Sequence, residues 1–480
     1  MNQPETASVI SSSTEVSSAE YFAQRQLKQG TVGWLLLIGL GVAYVISGDF
    51  AGWNFGIAQG GWGGMFIATA LAAIMYLCLC LSMSEMSTMM PTAGGGYSFA
   101  RAAFGPFGGY LTGTAILIEY AIAPAAIAVF IGGYCESLFG INGWMIYLAC
   151  YAIFMGIHLK GAGEALKIMF AITLVAAVAL VVFIVAMIPH FNVQNLFDIP
   201  VGTGVGVSLF LPHGYLGIWA AVPFAIWFFL AVEGVPLAAE EAKDPAKSLP
   251  RGLIGAMLIL TAFAMLILFL GAGAGAAGAS TLQNSGAPLV DALVKVYGSN
   301  TWLATFVNFV GLAGLIASFF SIIYAYSRQI FALSRAGYLP TSLSLTNKNK
   351  APYLAIIIPG IIGFLLSLTK EGDSLILIAV FGATISYVLI LLSHIKLRLS
   401  KPDMPRPYKT PGGIVTSTIA LVLAVAAVIA GFVVNPKVWF IAAAIYVVFI
   451  AYFLFYSRYH LVKGTPEEEF ANIKAAEQEL

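Results

Sequence analysis

From Trp34 almost to the end of the chain, apolar runs of roughly twenty residues alternate with short polar breaks. A helix needs a run of that length to cross the hydrocarbon core of a bilayer. The pattern predicts twelve spans: 34–58, 64–88, 107–135, 143–159, 165–189, 218–240, 252–272, 302–334, 353–369, 374–397, 413–434 and 437–458. The third and eighth are long enough to tilt or to project beyond the bilayer. The expected fold is therefore an all-α integral membrane protein with twelve transmembrane helices.

The flanks differ in kind. Residues 1–33 form a tail rich in Ser, Thr and Glu with no apolar core, so they do not read as a signal peptide. Residues 459–480 are charged and predict a short surface helix. Composition agrees with the span pattern: 60% of residues are hydrophobic and 9% charged, against about 25% charged in a soluble domain. A net charge of +1 gives no overall field for nucleic acid. The placement of the charges carries more information. With twelve spans both termini share one side, and of the 23 basic residues only Lys295, Lys370 and Lys437 fall on the other. Positive residues stay cytoplasmic. Both termini are therefore expected inside, in a cell membrane such as a bacterial inner membrane.

Several chemistries are set aside. Cys78, Cys80, Cys135 and Cys150 lie in or beside apolar segments and show neither a disulfide framework nor a metal pattern. The five histidines are scattered near span ends or in loops. The glycine-rich stretches 271–280 and 202–208 lack the Lys-Ser/Thr of a nucleotide loop. No segment outside the spans is long enough for a catalytic domain, and no Ser–His constellation stands at depth. A transporter is expected rather than an enzyme, with no cofactor and no metal.

Two spans are interrupted in corresponding ways. The first carries Ser47-Gly48-Asp49-Phe50-Ala51-Gly52. A carboxylate at that depth costs roughly 2.5–3.5 kcal/mol on insertion scales, and the glycines beside it weaken a helix. The sixth carries Glu233-Gly234-Val235-Pro236, where the proline removes a helical amide. Asp49 lies 15 residues after Trp34 and Glu233 lies 14 after Trp219. One span enters from the cytoplasm and the other from outside. Spans 1–5 (34–189) and 6–10 (218–397) then read as a five-plus-five inverted repeat with discontinuous helices 1 and 6, and spans 11 and 12 (413–458) are appended. Paired broken spans point to a transporter's midplane site, because unwound backbone at that depth has to line a cavity.

Four segments resemble the amino acid–polyamine–organocation (APC) superfamily of transporters. They are the loop after span 2, Pro91-Thr-Ala-Gly-Gly-Gly-Tyr97 to Pro106; Glu240-Glu241-Ala-Lys243-Asp-Pro245 to Pro250-Arg251; Ser327-Arg328 to Ser334-Arg335-Ala-Gly-Tyr-Leu-Pro340; and Arg406-Pro-Tyr-Lys-Thr-Pro-Gly412. The segments 44–50 and 228–241 are most similar to the ethanolamine permeases. The resemblance implies alternating access and a substrate held between spans 1, 3, 6, 8 and 10. Amino acid carriers of that superfamily usually read Gly-Ser-Gly-Ile-Phe at the first break and hold the substrate carboxylate on its free amides. Here the matching positions are Ile46-Ser47-Gly48-Asp49-Phe50, with an acid in place of the isoleucine. Unit charges 4 Å apart interact by about 4 kcal/mol at an effective dielectric near 20. A substrate carboxylate near Asp49 would be repelled on that scale and an ammonium attracted.

These readings assign the substrate as a small cationic amine, ethanolamine first, with an amino acid or polyamine permease or exchanger as the alternative. Asp49 is the first choice for the ammonium and Glu233 the second. Ser47 and exposed carbonyls near Gly48 and Ala231 would take further hydrogen bonds, with Phe50 beside them. Trp227, Phe228 and Phe229 either form an aromatic wall or gate or pack within the bundle or against lipid. Glu119 and Tyr120 in span 3 either line the cavity, with Glu119 as a proton site, or make a buried structural hydrogen bond. Ser318 and Ser321 either belong to a sodium site or bond helix to helix. Glu85 is expected to cap or pair, and Glu240 and Glu241 to form gating salt bridges with basic loop residues. The resemblance also directs attention to span 5, where some relatives carry an embedded lysine; none lies between Met169 and Pro189. Proton symport, sodium symport and facilitation stay open, as does the oligomeric state.

Overall fold

The structure is a computed structural model that describes residues 27, 30, 32–274, 278–298 and 301–462, without the side chains of 162–165 and 434. Most of both tails, and with them the expected surface helix after 459, lies outside the described residues. Twelve apolar helices stand at the twelve predicted spans: α1 (Trp34–Val45), α2 (Asn54–Met89), α3 (Gly96–Phe139), α4 (Trp144–His158), α5 (Ala162–Met187), α6 (Gly214–Trp227), α7 (Pro245–Gly273), α8 (Trp302–Arg335), α9 (Tyr353–Ser367), α10 (Gly372–Ser400), α11 (Ile414–Val434) and α12 (Pro436–Phe455). Among the described residues, nine helices are long and apolar enough to cross a membrane; α1, α4 and α9 are apolar but shorter. There is no β-strand among the described residues, only isolated bridges such as Val32 with Ala242.

Two glycines divide helices that are otherwise continuous. Gly61 (φ 69°) splits α2, so that its first turns finish the first span and the remainder is the second. A Cβ there would also stand 2.2 Å from Pro212 Cγ, so both conformation and space require glycine. Gly105 (φ 76°) splits α3. The sequence read 91–106 as a loop; residues from Gly96 up to this kink are instead helical. The reason is that Gly95 (φ 49°) lets the chain turn directly into a new helix, which Gly105 and Pro106 then redirect.

Burial orders the helices from centre to rim. The apolar window of α3 is 89% buried and that of α12 only 22%. α3 packs along α10 and α8, α2 along α6 and α7, and α1 along α7. α1 and the buried faces of α3, α6, α8 and α10 thus surround the two interruptions, while α11 and α12 lie outside. At the end remote from the start of α1, the segment 191–198 packs with Gly273, Ala274 and residues 278–282. Asn192 N–H donates to Gly273 O at 2.8 Å, and Asp198 accepts from Ser280 N at 2.9 Å. Asn54 Nδ2 donates to Leu282 O and Ser285 O, each at 2.9 Å, and ties this cap to the far half of the first span.

Candidate functional site

The first interruption is a single helical turn, Ser47–Phe50, followed by extended Ala51 and by Gly52 at φ 98°. Its glycines serve close approach. A Cβ on Gly48 would stand 2.6 Å from Trp227 O, and one on Gly52 would stand 2.6 Å from Trp227 Nε1. The broken first span therefore lies directly against the end of α6.

Side chains from other helices satisfy the backbone groups that the break releases. Ser318 of α8 accepts from Ser47 N–H at 3.0 Å, and its hydroxyl lies 2.7 Å from Ala43 O and 3.1 Å from Tyr44 O. It stands in for the helical bond that Ser47 N–H would make to Ala43 O, which is how an inserted side chain ends a helix. Tyr134 OH donates to Phe50 O at 2.9 Å, and Trp227 Nε1 donates to Ala51 O at 3.0 Å. Phe50 packs onto Gly311 and Gly314 of α8. Ser321 bonds its own helix, through Ser318 O at 3.0 Å.

The second interruption sits earlier than the sequence placed it. α6 ends at Trp227, and the chain turns through 228–231 with Ala231 left-handed at φ 77°. A 3-10 helix then runs over Val232–Glu241 and contains Gly234 and Pro236. Glu233 therefore lies in the first turn of the outgoing helix, not in a break around Pro236. The aromatic triplet explains the position. Trp227 seats on the first break, Phe228 stacks on Trp53 with centroids 6.0 Å apart, and Phe229 meets Tyr76 at 5.5 Å. These three separate seats coincide with the chain leaving the helix. Left-handed Ala231 costs roughly 1–2 kcal/mol, and this surrounding packing has to offset it.

The acids fall into two groups. Asp49 is fully buried, and among the described residues neither of its oxygens has a hydrogen-bond partner and no salt bridge reaches it. Glu119 and Glu233, also buried, have neighbouring carboxyl groups. Tyr120 OH donates to Glu233 Oε1 at 3.3 Å. Tyr387, 2.8 Å from Tyr76 through the two hydroxyls, stands beside both acids. A Cβ on Gly234 would meet Tyr44 Cε2 at 3.0 Å and Tyr120 OH at 3.1 Å, so Tyr44 completes the ring. Its hydroxyl has no partner among the described residues. The carboxyl groups of Glu119 and Glu233 lie against one another, with the Ala231 backbone beside Glu119 and Tyr387 beside Glu233. Neither glutamate forms a salt bridge with a Lys or Arg among the described residues. Neighbouring like charges repel strongly away from water, so the pair requires a proton or a cation. Sequence reasoning found Glu119, Tyr120 and Glu233 but missed Tyr44, Tyr76 and Tyr387. Their only signal is a hydroxyl within an apolar run, and many packed tyrosines share it.

A third cluster closes the end of the bundle where α1 begins. Arg328 meets Glu241 at 3.2 Å with both side chains buried, and Tyr324 OH also donates to Glu241. Arg335 meets Glu240 at 2.7 Å, and Glu240 accepts from Ala93 N at 2.9 Å. The bases that pair with these acids thus come from within α8 and not from loops. The reason is that α8 extends its full length to that end and brings its last two turns against the 3-10 helix. Glu85, as expected, pairs: it meets Arg398 at 2.5 Å, Arg406 at 3.0 Å, His394 at 3.4 Å and Thr410 N at 2.7 Å. These contacts fix the segment 401–413 to α2.

A bundle of apolar helices with two interruptions at its centre, the first capped by side chains of neighbouring helices, is a transporter architecture. A family model described as amino acid permease matches residues 32–455. The chain belongs to the amino acid permease family. The permease is 28% identical over 410 residues to the branched-chain amino acid permease BcaP of Bacillus subtilis (strain 168), covering 79% of this chain and 82% of that protein. It is 25% identical over 399 residues to the aromatic amino acid transport protein AroP of Escherichia coli O6:H1, covering 79% and 84%. It is 26% identical over 395 residues to the methylthioribose transporter of Bacillus subtilis (strain 168), covering 78% and 81%. None of these three relatives is named for ethanolamine. The permease is a multi-pass membrane transporter and not an enzyme.

Proposed function

We propose that this permease imports a small organic amine, ethanolamine first, by alternating access about the two interruptions. The observation that carries this reading is the set of three buried acids, Asp49, Glu119 and Glu233, none of which forms a salt bridge with a basic residue among the described residues. An ammonium within 4 Å of one carboxylate gains about 4 kcal/mol of Coulomb energy at an effective dielectric near 20, and a substrate carboxylate loses as much. The break also offers little to a carboxylate, since the Ser47 amide is already bonded to Ser318. In this reading the isolated Asp49 receives the ammonium. The Glu119–Glu233 pair carries the proton that couples transport, and Phe229 and Trp227 form the adjoining wall. The twelve spans are a five-plus-five inverted repeat with two appended helices. The face where α1 begins is cytoplasmic, in a bacterial inner membrane, and the Glu240 and Glu241 ion pairs gate it.

An amino acid or polyamine permease or exchanger is the second reading, favoured by the names of the BcaP and AroP relatives. Counterflow in proteoliposomes separates the two. Labelled ethanolamine is expected to exchange with unlabelled ethanolamine and not with neutral amino acids. Exchange among amino acids without ethanolamine would refute the amine reading, and exchange with diaminobutane alone would move it to polyamines.

A further inference from the structure

We propose that the permease holds one anionic phospholipid in a groove on the face where α1 begins, remote from the central site. The groove, about 580 Å³, lies between the start of α1, the first turns of α7 and the segment before α11. Its walls include Trp34, Lys247, Arg251, Ile254, Leu258 and Tyr408.

The order of chemistry along α7 identifies the occupant. Lys247, Arg251, Ile254 and Leu258 follow one another at spacings of three and four, so they form a single stripe along the helix. Its first part is cationic and its second part apolar. Seven residues from Arg251 to Leu258 rise about 10 Å, which is the step from a headgroup phosphate into the acyl region. Arg251 is exposed and makes no hydrogen bond or ion pair among the described residues. Lys247 is paired with Asp244 at 3.3 Å, but both side chains are more than half exposed, so that bond is weak. Lys247 and Arg251 outweigh Asp244, and the N-terminus of the 29-residue α7 adds positive potential. Trp34, 43% exposed, and Tyr408 flank the charged end, as aromatic side chains do at a membrane interface. The Tyr408 wall is fixed in advance, because Arg406 and Thr410 on either side of it are anchored to buried Glu85. A soluble phosphate would leave Ile254 and Leu258 uncovered, and a zwitterionic lipid, its phosphate balanced by its own ammonium, would leave the net positive charge of Lys247, Arg251 and Asp244 unneutralised. An anionic phospholipid satisfies both ends.

Native mass spectrometry of the full-length permease tests this. The protein is released from mixed micelles holding equal phosphatidylglycerol and phosphatidylcholine, and the bound lipid is counted. Wild-type protein is expected to retain one phosphatidylglycerol in preference to phosphatidylcholine. Each basic residue at a membrane surface is worth roughly fivefold in occupancy. Arg251→Gln should therefore reduce retention about fivefold and the Lys247→Gln/Arg251→Gln pair roughly 25-fold. Arg251→Lys should preserve retention, as should Lys348→Gln outside the groove. Equal retention of the two lipids by wild-type protein would overturn the proposal whatever the variants do. An undiminished phosphatidylglycerol adduct in a monodisperse double variant would overturn it as well.

Discussion

Replacing Asp49 by asparagine tests the proposed amine site with little structural confusion. The side chain is fully buried and neither oxygen has a partner among the described residues, so the change breaks no hydrogen bond in the unliganded protein. Asparagine keeps the shape and removes the charge. Removing an uncompensated buried carboxylate should leave thermal stability unchanged or raised. The ammonium, however, would lose a charge-assisted hydrogen bond. Such bonds are worth about 1.5–3 kcal/mol net, well below the Coulomb figure because both partners lose water on binding. At about 1.4 kcal/mol per factor of ten, the apparent affinity for ethanolamine should fall roughly 10- to 150-fold. Neutral amino acids, no longer facing a negative charge, should compete better in the variant. The assay is uptake of labelled ethanolamine into proteoliposomes across a concentration series, with substrate-induced thermal shift as an independent measure of binding. Unchanged affinity in both would remove Asp49 from the site. A large loss of unliganded stability would show that the carboxylate supports the fold instead.

The remaining acids predict different outcomes. Glu119→Gln or Glu233→Gln removes one member of the neighbouring pair. Either variant should abolish the acceleration of uptake by an inward proton gradient while counterflow persists, and gradient-driven uptake equal to wild type would exclude the pair from coupling. Glu85→Gln takes the charge from a buried carboxylate that meets Arg398, Arg406 and His394. Breaking such a network costs about 3–5 kcal/mol, so a marked fall in melting temperature is expected; a shift within error would mean that the segment 401–413 is held by other contacts.

Much of the fold was legible because the bilayer imposes it. Length and hydropathy located twelve apolar helices, the nine long enough to cross a membrane among the described residues and the shorter α1, α4 and α9. What escaped was local geometry that depends on distant partners. The segment from Gly96 to the Gly105 kink reads as a loop because Gly94-Gly95-Gly96 resembles a flexible break. Only the positive φ at Gly95 and Gly105 makes the piece between them a helix. In the sequence alone the sixth span breaks at Pro236, because proline removes a helical amide. The 3-10 helix accommodates that proline, and the chain breaks instead where Trp227, Phe228 and Phe229 take separate seats.

The same limit applies to the acids. In the sequence Asp49 and Glu233 stand at nearly the same distance from the start of their spans, and that spacing makes it natural to group them around one ligand. Such a spacing speaks to depth, not contact: two side chains can lie at one level and point into different surroundings. Glu233 is carried on the outgoing 3-10 helix toward α3, where it meets Glu119 and Tyr120. Asp49 rides on a turn whose neighbours on either side are committed, Gly48 to the close approach of Trp227 and Phe50 to the glycines of α8. The partner of Glu233 could not be read from span 6, nor the isolation of Asp49 from span 1, because each depends on a helix more than seventy residues away in the chain. A lone acid and a paired acid also differ in charge balance. The lone carboxylate is neutralised by one ammonium, whereas two adjacent carboxyls can share one proton in a hydrogen bond between them, which removes their mutual repulsion. An amine therefore suits Asp49, and a proton suits the pair. That difference is the physical reason for placing the amine at Asp49 and the proton at Glu119 and Glu233.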